Sequence, residues 1–190
     1  MEQIKTHTLK SYVLWSRFIS PKIVLFITAN KQLKSIEIES GDIIISTKIE
    51  DIDLDYTDAT ILSPDGLILI YPTIEGGYVF FSLKDRVVVD KIEKLEDKPT
   101  SCVMDGFSRY FCVGFESGKS DVFFYKTLEL CNKPPAHTDT VLFCSFFSYG
   151  KLFLTCGMDG KITISDFDAY SPPFRANLSE SKIIVAAQLD

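Results

Sequence analysis

Histidine, tryptophan and closely spaced cysteines are scarce in this sequence, and their scarcity excludes several classes of site. The 190 residues include 2 histidines, 1 tryptophan and 5 cysteines, and no Cys-x-x-Cys pair occurs. A structural zinc site takes four Cys or His ligands at short spacings, which this chain does not supply. Phosphate-binding Gly-rich loops and Gly-x-Ser-x-Gly elbows are missing as well. We therefore expect no metal, no cofactor and no catalytic residue.

An excess of basic charge and long apolar segments are also lacking. Lys and Arg number 20 against 26 Asp and Glu, a net charge of −6, whereas a nucleic-acid surface is normally basic. No apolar run approaches the roughly 20 residues that span a membrane, and no signal-like segment opens the chain. The odd number of cysteines fits a reducing compartment. We expect protein partners, no membrane contact, and RNA contact that is indirect or secondary.

Short β-type runs are plentiful and recur at a nearly constant interval. Ser20 and Ser63 each precede a proline and an apolar run, and they lie 43 positions apart. Val79 and Val122 each begin a Val-Phe-Phe triplet, again 43 positions apart. An interval of about 40–45 residues is that of one four-stranded blade of a β-propeller. The sequence therefore predicts an all-β chain of about four antiparallel four-stranded units.

We divide residues 1–190, taken as one domain, into four units and the start of a fifth. The predicted units are residues 12–55, 56–98, 99–136 and 137–180, and residues 181–190 hold the first strand of a further unit, at 181–188. Four units leave the ring incomplete. The chain is then a piece of a longer protein, a small open ring, or a ring completed by another chain. Unpaired edges and apolar faces make the lone open ring the least favoured of these.

Within the units, four local predictions matter later. The acidic stretch 50–55 is expected to be a solvated connection, because its charges favour water. Residues 59–62 are expected to form the first strand of the second unit. Residues 90–98, which are mostly polar, are expected to be a loop between units. The single tryptophan, Trp15, is expected to pack in the core.

The fourth unit carries the clearest pattern. His137 stands before the apolar run 141–147, and a second run ends in the tight turn around Asp159 and Gly160. With the alternating strand that follows, this stretch resembles one WD-repeat unit. In WD repeats a histidine, a Ser or Thr, and an Asp form a hydrogen-bonded set with a tryptophan. The resemblance places His137, Thr155 and Asp159 in those roles, with Ser165 where the tryptophan would be.

The same residues admit a catalytic interpretation, in which Ser145 or Ser165 joins His137 and Asp159 as a hydrolase triad. No nucleophile elbow supports that interpretation, and the repeat explains every residue without catalysis. We therefore favour a structural hydrogen-bond network of His137, Thr155 and Asp159 that satisfies buried polar groups.

A closer resemblance concerns the region around His137. The stretches 136–141 and 157–162, followed by Glu180, Ser181 and Lys182, are similar to one repeat of the transducin-beta-like subunits of the small-subunit processome. That resemblance implies a non-enzymatic scaffold in ribosome biogenesis and pre-rRNA processing, within a nucleolar ribonucleoprotein. The alternative is a WD-repeat adaptor of another complex, such as one in trafficking or ubiquitin ligation.

Overall fold

The computed structural model describes residues 6, 8–134, 136–147, 150–166 and 174–177, and for the last range the backbone alone. Its sixteen strands form four antiparallel sheets, each made of four strands consecutive in the chain. Sheet 1 holds β1 (Val13–Ser20), β2 (Ile23–Thr28), β3 (Gln32–Glu37) and β4 (Ile43–Lys48), and sheet 2 holds β5 (Ile61–Leu62), β6 (Ile68–Pro72), β7 (Tyr78–Ser82) and β8 (Val87–Ile92). Sheet 3 holds β9 (Pro99–Met104), β10 (Tyr110–Phe115), β11 (Ser120–Phe124) and β12 (Leu130–Asn132), and sheet 4 holds β13 (Val141–Phe147), β14 (Leu152–Gly157), β15 (Lys161–Asp166) and β16 (Phe174–Asn177). The predicted all-β class with four antiparallel sheets is confirmed, and the ring is not closed.

Three separate apolar cores lie between successive sheets, which shows that the sheets are stacked face to face in chain order. The core between sheets 1 and 2 includes Trp15 and Tyr71, and the core between sheets 2 and 3 includes Phe80 and Phe111. The core between sheets 3 and 4 is smaller and is centred on Phe153. Each sheet therefore touches its neighbours in sequence, as units of a repeat protein do.

Sheet 2 shows why continuous apolar runs, rather than alternating ones, form the inner sheets. Leu69 and Tyr71 on β6 face the core shared with sheet 1, while Ile70 between them faces the core shared with sheet 3. Both faces of the sheet are covered, so side chains pointing either way must be apolar. Trp15 is buried as expected, and its indole N–H donates to the carbonyl of Thr60 at 2.9 Å, which ties sheet 1 to sheet 2.

The start of sheet 2 differs from the prediction. A 3-10 helix, Leu54–Ala59, takes the first residue of the expected strand, and Thr60 caps the helix, so β5 holds only Ile61–Leu62. Asp53 caps this helix by accepting from the N–H of Asp55 at 3.1 Å. The acidic stretch is therefore not simply a solvated connection, since Ile52 between its carboxylates is fully buried in the core shared with sheet 1.

The region 90–98 also differs, because β8 continues to Ile92 and pairs with β7 up to Tyr78. Only residues 93–98 connect sheet 2 to sheet 3. The polar residues of β8 are tolerated because it is an outermost strand with solvent on its exposed side. The predicted strand at 181–188 lies outside the described residues, as do the proline-rich residues 171–173 before β16.

Candidate functional site

The structure brings His137, Thr155 and Asp159 into one hydrogen-bonded set on sheet 4. The Nε2 atom of His137 lies 2.8 Å from the hydroxyl of Thr155, and its Nδ1 atom lies 3.0 Å from Oδ1 of Asp159. The other carboxylate oxygen, Oδ2, accepts from the backbone N–H of Thr138 at 3.0 Å. Both ring nitrogens and both carboxylate oxygens are therefore engaged by neighbouring groups.

Local geometry explains how three residues far apart in sequence meet. Thr155 lies on β14 and Asp159 in the turn that follows this strand. Gly157, at the end of β14, leaves the space that the histidine ring fills, since a Cβ atom there would lie 2.5 Å from Nδ1 of His137. The N–H of Lys161 donates to Oδ1 of Asp159 at 3.1 Å and closes the turn. The sequence pattern predicts the three polar residues but not the glycine that lets them approach.

The set also ties sheet 4 to sheet 3. The backbone N–H of His137 donates to the carbonyl of Gly118 at 2.8 Å, and Gly118 lies in the turn between β10 and β11. Gly118 has a positive φ of 86°, which glycine adopts without steric cost. The hydroxyl of Thr140 adds a second link by donating to the carbonyl of Glu116 at 3.1 Å. These bonds fix the start of β13 against the preceding sheet.

The order Thr155–His137–Asp159 is that of a hydroxyl, an imidazole and a carboxylate in a hydrolase, but the burial of these side chains does not favour catalysis. Thr155 is 1% exposed, and the side chains of His137 and Asp159 are 1% and 5% exposed. A nucleophile must reach its substrate, and this hydroxyl has no room to do so. Ser145 and Ser165 gain no place in the set, because Thr155 and Asp159 already occupy both nitrogens of the ring.

The carboxylate of Asp159 is held in its charged form. Burial alone would raise its pKa, but hydrogen bonds from the N–H of Thr138, from His137 and from the N–H of Lys161 outweigh burial and lower it below the ordinary value of 3.8. A carboxylate whose pKa is lower in the folded state stabilises the fold above its unfolded pKa and loses that contribution as pH falls.

We expect this loss to appear on the acid side of the stability profile. The wild type should be more stable than Asp159→Asn at neutral pH, and the difference should shrink as the pH falls below the ordinary carboxyl pKa of 3.8. Urea unfolding followed by circular dichroism between neutral pH and pH 3 measures the difference. A gap between the two proteins that stayed constant across this range would show that the Asp159 charge does not stabilise the fold.

Removing the carboxylate altogether tests the structural role of the set. Asp159→Ala should lower the free energy of unfolding by about 1–3 kcal/mol, because the buried imidazole of His137 loses its partner. Asp42→Ala, in the turn before β4, is a matched control and should change stability by less than about 0.5 kcal/mol. Equal unfolding midpoints for the Asp159→Ala protein and the wild type would contradict a structural role.

A second buried carboxylate was not anticipated. Asp105, fully buried after β9, accepts from the N–H of Tyr110 at 2.8 Å and from Nε of Arg109 at 2.9 Å. Gly150 of sheet 4 lies against this pair, since a Cβ atom there would be 3.0 Å from Oδ2 of Asp105. A signal was present in the sequence, because Asp105 lies 42 positions after Ser63 and so occupies the same place in the repeat.

The innermost strands of the four sheets border a cleft of about 910 Å³. Arg17 and Asp58 contribute charge to its lining, and Phe18 contributes an exposed aromatic ring. Cys102 and Cys144 also reach the lining, and burial raises the pKa of the Cys102 thiol well above its ordinary range. A protonated thiol is a poor nucleophile and a poor metal ligand, so Cys102 acts as a small apolar residue.

No protein-family model matches the chain, and no curated protein matches it in sequence. In the part of the chain that the structure describes, no helix has the length and apolar character needed to cross a membrane. Over the same residues, no group of three or more His, Cys, Asp or Glu side chains is arranged to hold a metal ion.

Proposed function

We propose that this chain is a non-enzymatic scaffold that binds protein partners through the outer face of sheet 1 and through exposed sheet edges. The proposal interprets the four sheets as consecutive blades of an incomplete WD-repeat β-propeller. Three features support that assignment: the recurrence at 42–43 positions, the four-stranded antiparallel sheets in chain order, and the set formed by His137, Thr155 and Asp159. Propellers of this kind present faces, edges and a central channel to other molecules.

The observation that carries the proposal is the outer face of sheet 1, the face turned away from sheet 2. One apolar residue from each strand lies in a single cross-strand row on this face: Phe18 pairs with Val24, Val24 with Ile36, and Ile36 with Ile43. The row is exposed at its two ends, where Phe18 is 65% and Ile43 is 54% exposed, while Ile36 within it is 9% exposed. In the inner sheets such rows are covered by a neighbouring sheet. A row of this kind in contact with water marks an interaction surface.

The edges of the sheets offer a second means of attachment. Val87, Val88 and Val89 of the outermost strand β8 are each about half exposed. In an antiparallel sheet, every second residue of an edge strand directs its N–H and C=O groups away from the sheet. Such groups pair with an added strand from a partner. The surface is therefore suited to proteins, which supply both apolar side chains and strand edges.

The biological setting follows from the resemblance around His137 and is part of the proposal. We place the scaffold in a ribosome-biogenesis assembly that processes pre-rRNA in the nucleolus. Its net charge of −6 gives little drive for direct association with RNA, because counterion release requires clustered lysines or arginines. Its contacts in such a ribonucleoprotein are therefore with proteins.

Affinity purification of the tagged chain tests both levels of the proposal. We expect pre-ribosomal RNA and nucleolar proteins to co-purify with it. Recovery of ubiquitin-ligase or vesicle-coat components instead would assign the chain to a different WD-repeat assembly and overturn the ribosomal setting. If no stable partner is recovered at all, the scaffold function itself is overturned.

Variants of the sheet 1 face locate the binding surface. Ile43→Lys places a charge at the end of the apolar row and should remove most partner recovery, because a desolvated lysine opposes an apolar interface. Ile74→Lys is the matched control, since Ile74 is 63% exposed in the turn after β6, away from this face. Equal recovery with both variants would place the partner elsewhere on the chain.

A further inference from the structure

The face of sheet 4 turned away from sheet 3 is apolar over two cross-strand rows. Phe143 pairs with Cys156, and Cys156 pairs with Ile162. In the second row, Leu154 pairs with Ile164. Apart from the buried Cys156, these side chains are only partly buried. We call this surface the outer face of sheet 4.

Sheet 3 shows what covers the corresponding face one unit earlier. Cys112 and Val122 lie 42 positions before Leu154 and Ile164, and they form the corresponding cross-strand pair. Both are fully buried, because Val141 of the innermost strand of sheet 4 packs against them together with its neighbours. The same two positions in sheet 4 are partly exposed. The two sheets therefore differ in one respect: the innermost strand of a following unit covers sheet 3, whereas no described strand covers the outer face of sheet 4.

A recurring hydrogen bond shows how the chain enters each following unit. The carbonyls of Lys31, Gly76 and Gly118 accept from the N–H of Ile49, Leu95 and His137, respectively, at 3.0, 2.8 and 2.8 Å. Each donor follows its acceptor by 18 or 19 positions. All three acceptors lie in the turn between the second and third strands and have positive φ angles of 60°, 84° and 86°.

Gly160 is the fourth member of this series. It lies in the equivalent turn of sheet 4 and has a positive φ of 75°. Nineteen positions after it comes Ser179, and four positions after Ser179 comes Ile183. The same step of four leads from Leu95 to Pro99, where β9 begins, and from His137 to Val141, where β13 begins. Pro99, Val141 and Ile183 are thus spaced at 42 positions.

We propose that residues 183–188 dock on the outer face of sheet 4 as the innermost strand of a fifth unit, with Ser179 donating its N–H to the carbonyl of Gly160. By the repeat, Ile183 and Ala186 take the places of Val141 and Cys144 and cover Leu154, Cys156 and Ile164. The chain reaches this face directly, because β16 ends at Asn177, paired with Lys161 beside Gly160. This inference concerns the packing of one face and does not rest on the proposed function.

One position of the face differs from sheet 3 and provides the test. Cys156 takes the place of Gly114, and a Cβ atom on Gly114 would lie 2.8 Å from the Cβ of Val141. The same Cβ would lie still nearer to Cγ1 of Val141, closer than real contacts allow, so a strand docked beside Cys156 must sit slightly farther out than β13 does beside Gly114. Cys156 and Ile183 are then in van der Waals contact. Two cysteines in such contact form a disulfide when their Cβ atoms settle about 3.5–4.5 Å apart. Ile183→Cys should cross-link to Cys156 within one chain.

The experiment oxidises the full chain carrying Ile183→Cys at low protein concentration and maps disulfides by peptide mass spectrometry. Val185→Cys is the matched control, because Val185 takes the place of Phe143, whose side chain lies on the opposite face of its strand from Cys144. We expect about tenfold more bond to Cys156 from position 183 than from position 185. Ser101→Cys is the positive control, since the hydroxyl of Ser101 lies 3.3 Å from the sulfur of Cys144.

Three outcomes overturn the proposal. Equal cross-linking from positions 183 and 185 would contradict the assigned register. If neither position forms a bond while the positive control does, residues 183–188 do not dock on this face. A bond between two chains would assign the face to a second copy. Should Ile183→Cys fail to fold, labelling of Cys156 in Ile183→Asp and Val185→Asp provides the same comparison. Docking predicts faster labelling only in Ile183→Asp, and equal rates in the two variants would contradict it.

Discussion

Replacing Gly157 with alanine should lower the free energy of unfolding by about 2–4 kcal/mol, because overpacking costs about 1–3 kcal/mol and a weakened buried hydrogen bond adds to that cost. The added Cβ would lie 2.5 Å from Nδ1 of His137 and 2.7 Å from Oδ1 of Asp159. Neither atom can withdraw without losing the hydrogen bond between them. The φ angle of Gly157 is not in the left-handed region, so the cost arises from the contact alone.

Gly106→Ala is the matched control for this prediction, because no atom lies within 4 Å of a Cβ built on Gly106. It should change stability by less than about 0.5 kcal/mol. Urea unfolding of the two variants and the wild type measures the difference. Similar unfolding midpoints for Gly157→Ala and Gly106→Ala would show that the approach of His137 to β14 is not needed for stability.

Replacing Phe111 with alanine should have the larger effect, about 3–5 kcal/mol, the usual cost of truncating a fully buried aromatic residue. Phe111 is 0% exposed on β10 and faces the core between sheets 2 and 3. Its ring stacks on Phe123 with centroids 5.0 Å apart and meets Phe80 of sheet 2 edge-on at 5.6 Å. The cavity left by alanine would therefore open the contact between two sheets.

The exposed Phe18 provides the comparison. Phe18→Ala removes the same atoms from a side chain that is 65% exposed, so stability should change by less than about 1 kcal/mol. Thermal and urea unfolding of both variants tests the contrast. A Phe111→Ala protein as stable as Phe18→Ala would mean that the core between sheets 2 and 3 does not hold the row together.

Spacing along the chain was enough to predict the order of the sheets and most of their strands. Four turns contain a glycine with a positive φ angle: Gly41, Gly66, Gly118 and Gly160. Glycine adopts this conformation readily, so its presence in the sequence marks each of these turns. Between such turns, runs of β-branched and aromatic residues have few alternatives to a strand. The apolar run 141–147 after His137 forms β13 in full.

The start of sheet 2 could not be predicted because it breaks the repeat. In the other sheets, the residue just after the second strand donates its N–H to the carbonyl of the residue just before the first strand. In sheet 3, for example, the N–H of Glu116 donates to the carbonyl of Lys98, 18 positions earlier. In sheet 2, Ile74 instead reaches Asp51, 23 positions earlier, because the 3-10 helix intervenes. Periodicity cannot locate an insertion that packs against a neighbouring sheet.

The polar set was predicted only where the repeat pattern is intact. His137, Thr155 and Asp159 could be named from their spacing, whereas the need for Gly157 follows from a distance across the strand that no local pattern records. Asp105 was overlooked for a different reason. Ser20 and Ser63 occupy its place in the first two units, so the spacing marks the position without indicating that a buried carboxylate fills it.

We propose that this chain acts by binding proteins and that its contact with RNA is secondary. Filter binding of the purified chain to bare pre-ribosomal RNA at near-physiological salt tests it most directly, with the chain ending at residue 180 for comparison. We predict weak binding for both proteins, since the net charge is −6 and lysines are interleaved with acidic residues. Tight, salt-sensitive binding to the naked RNA, unaffected by loss of the last residues, would contradict the account.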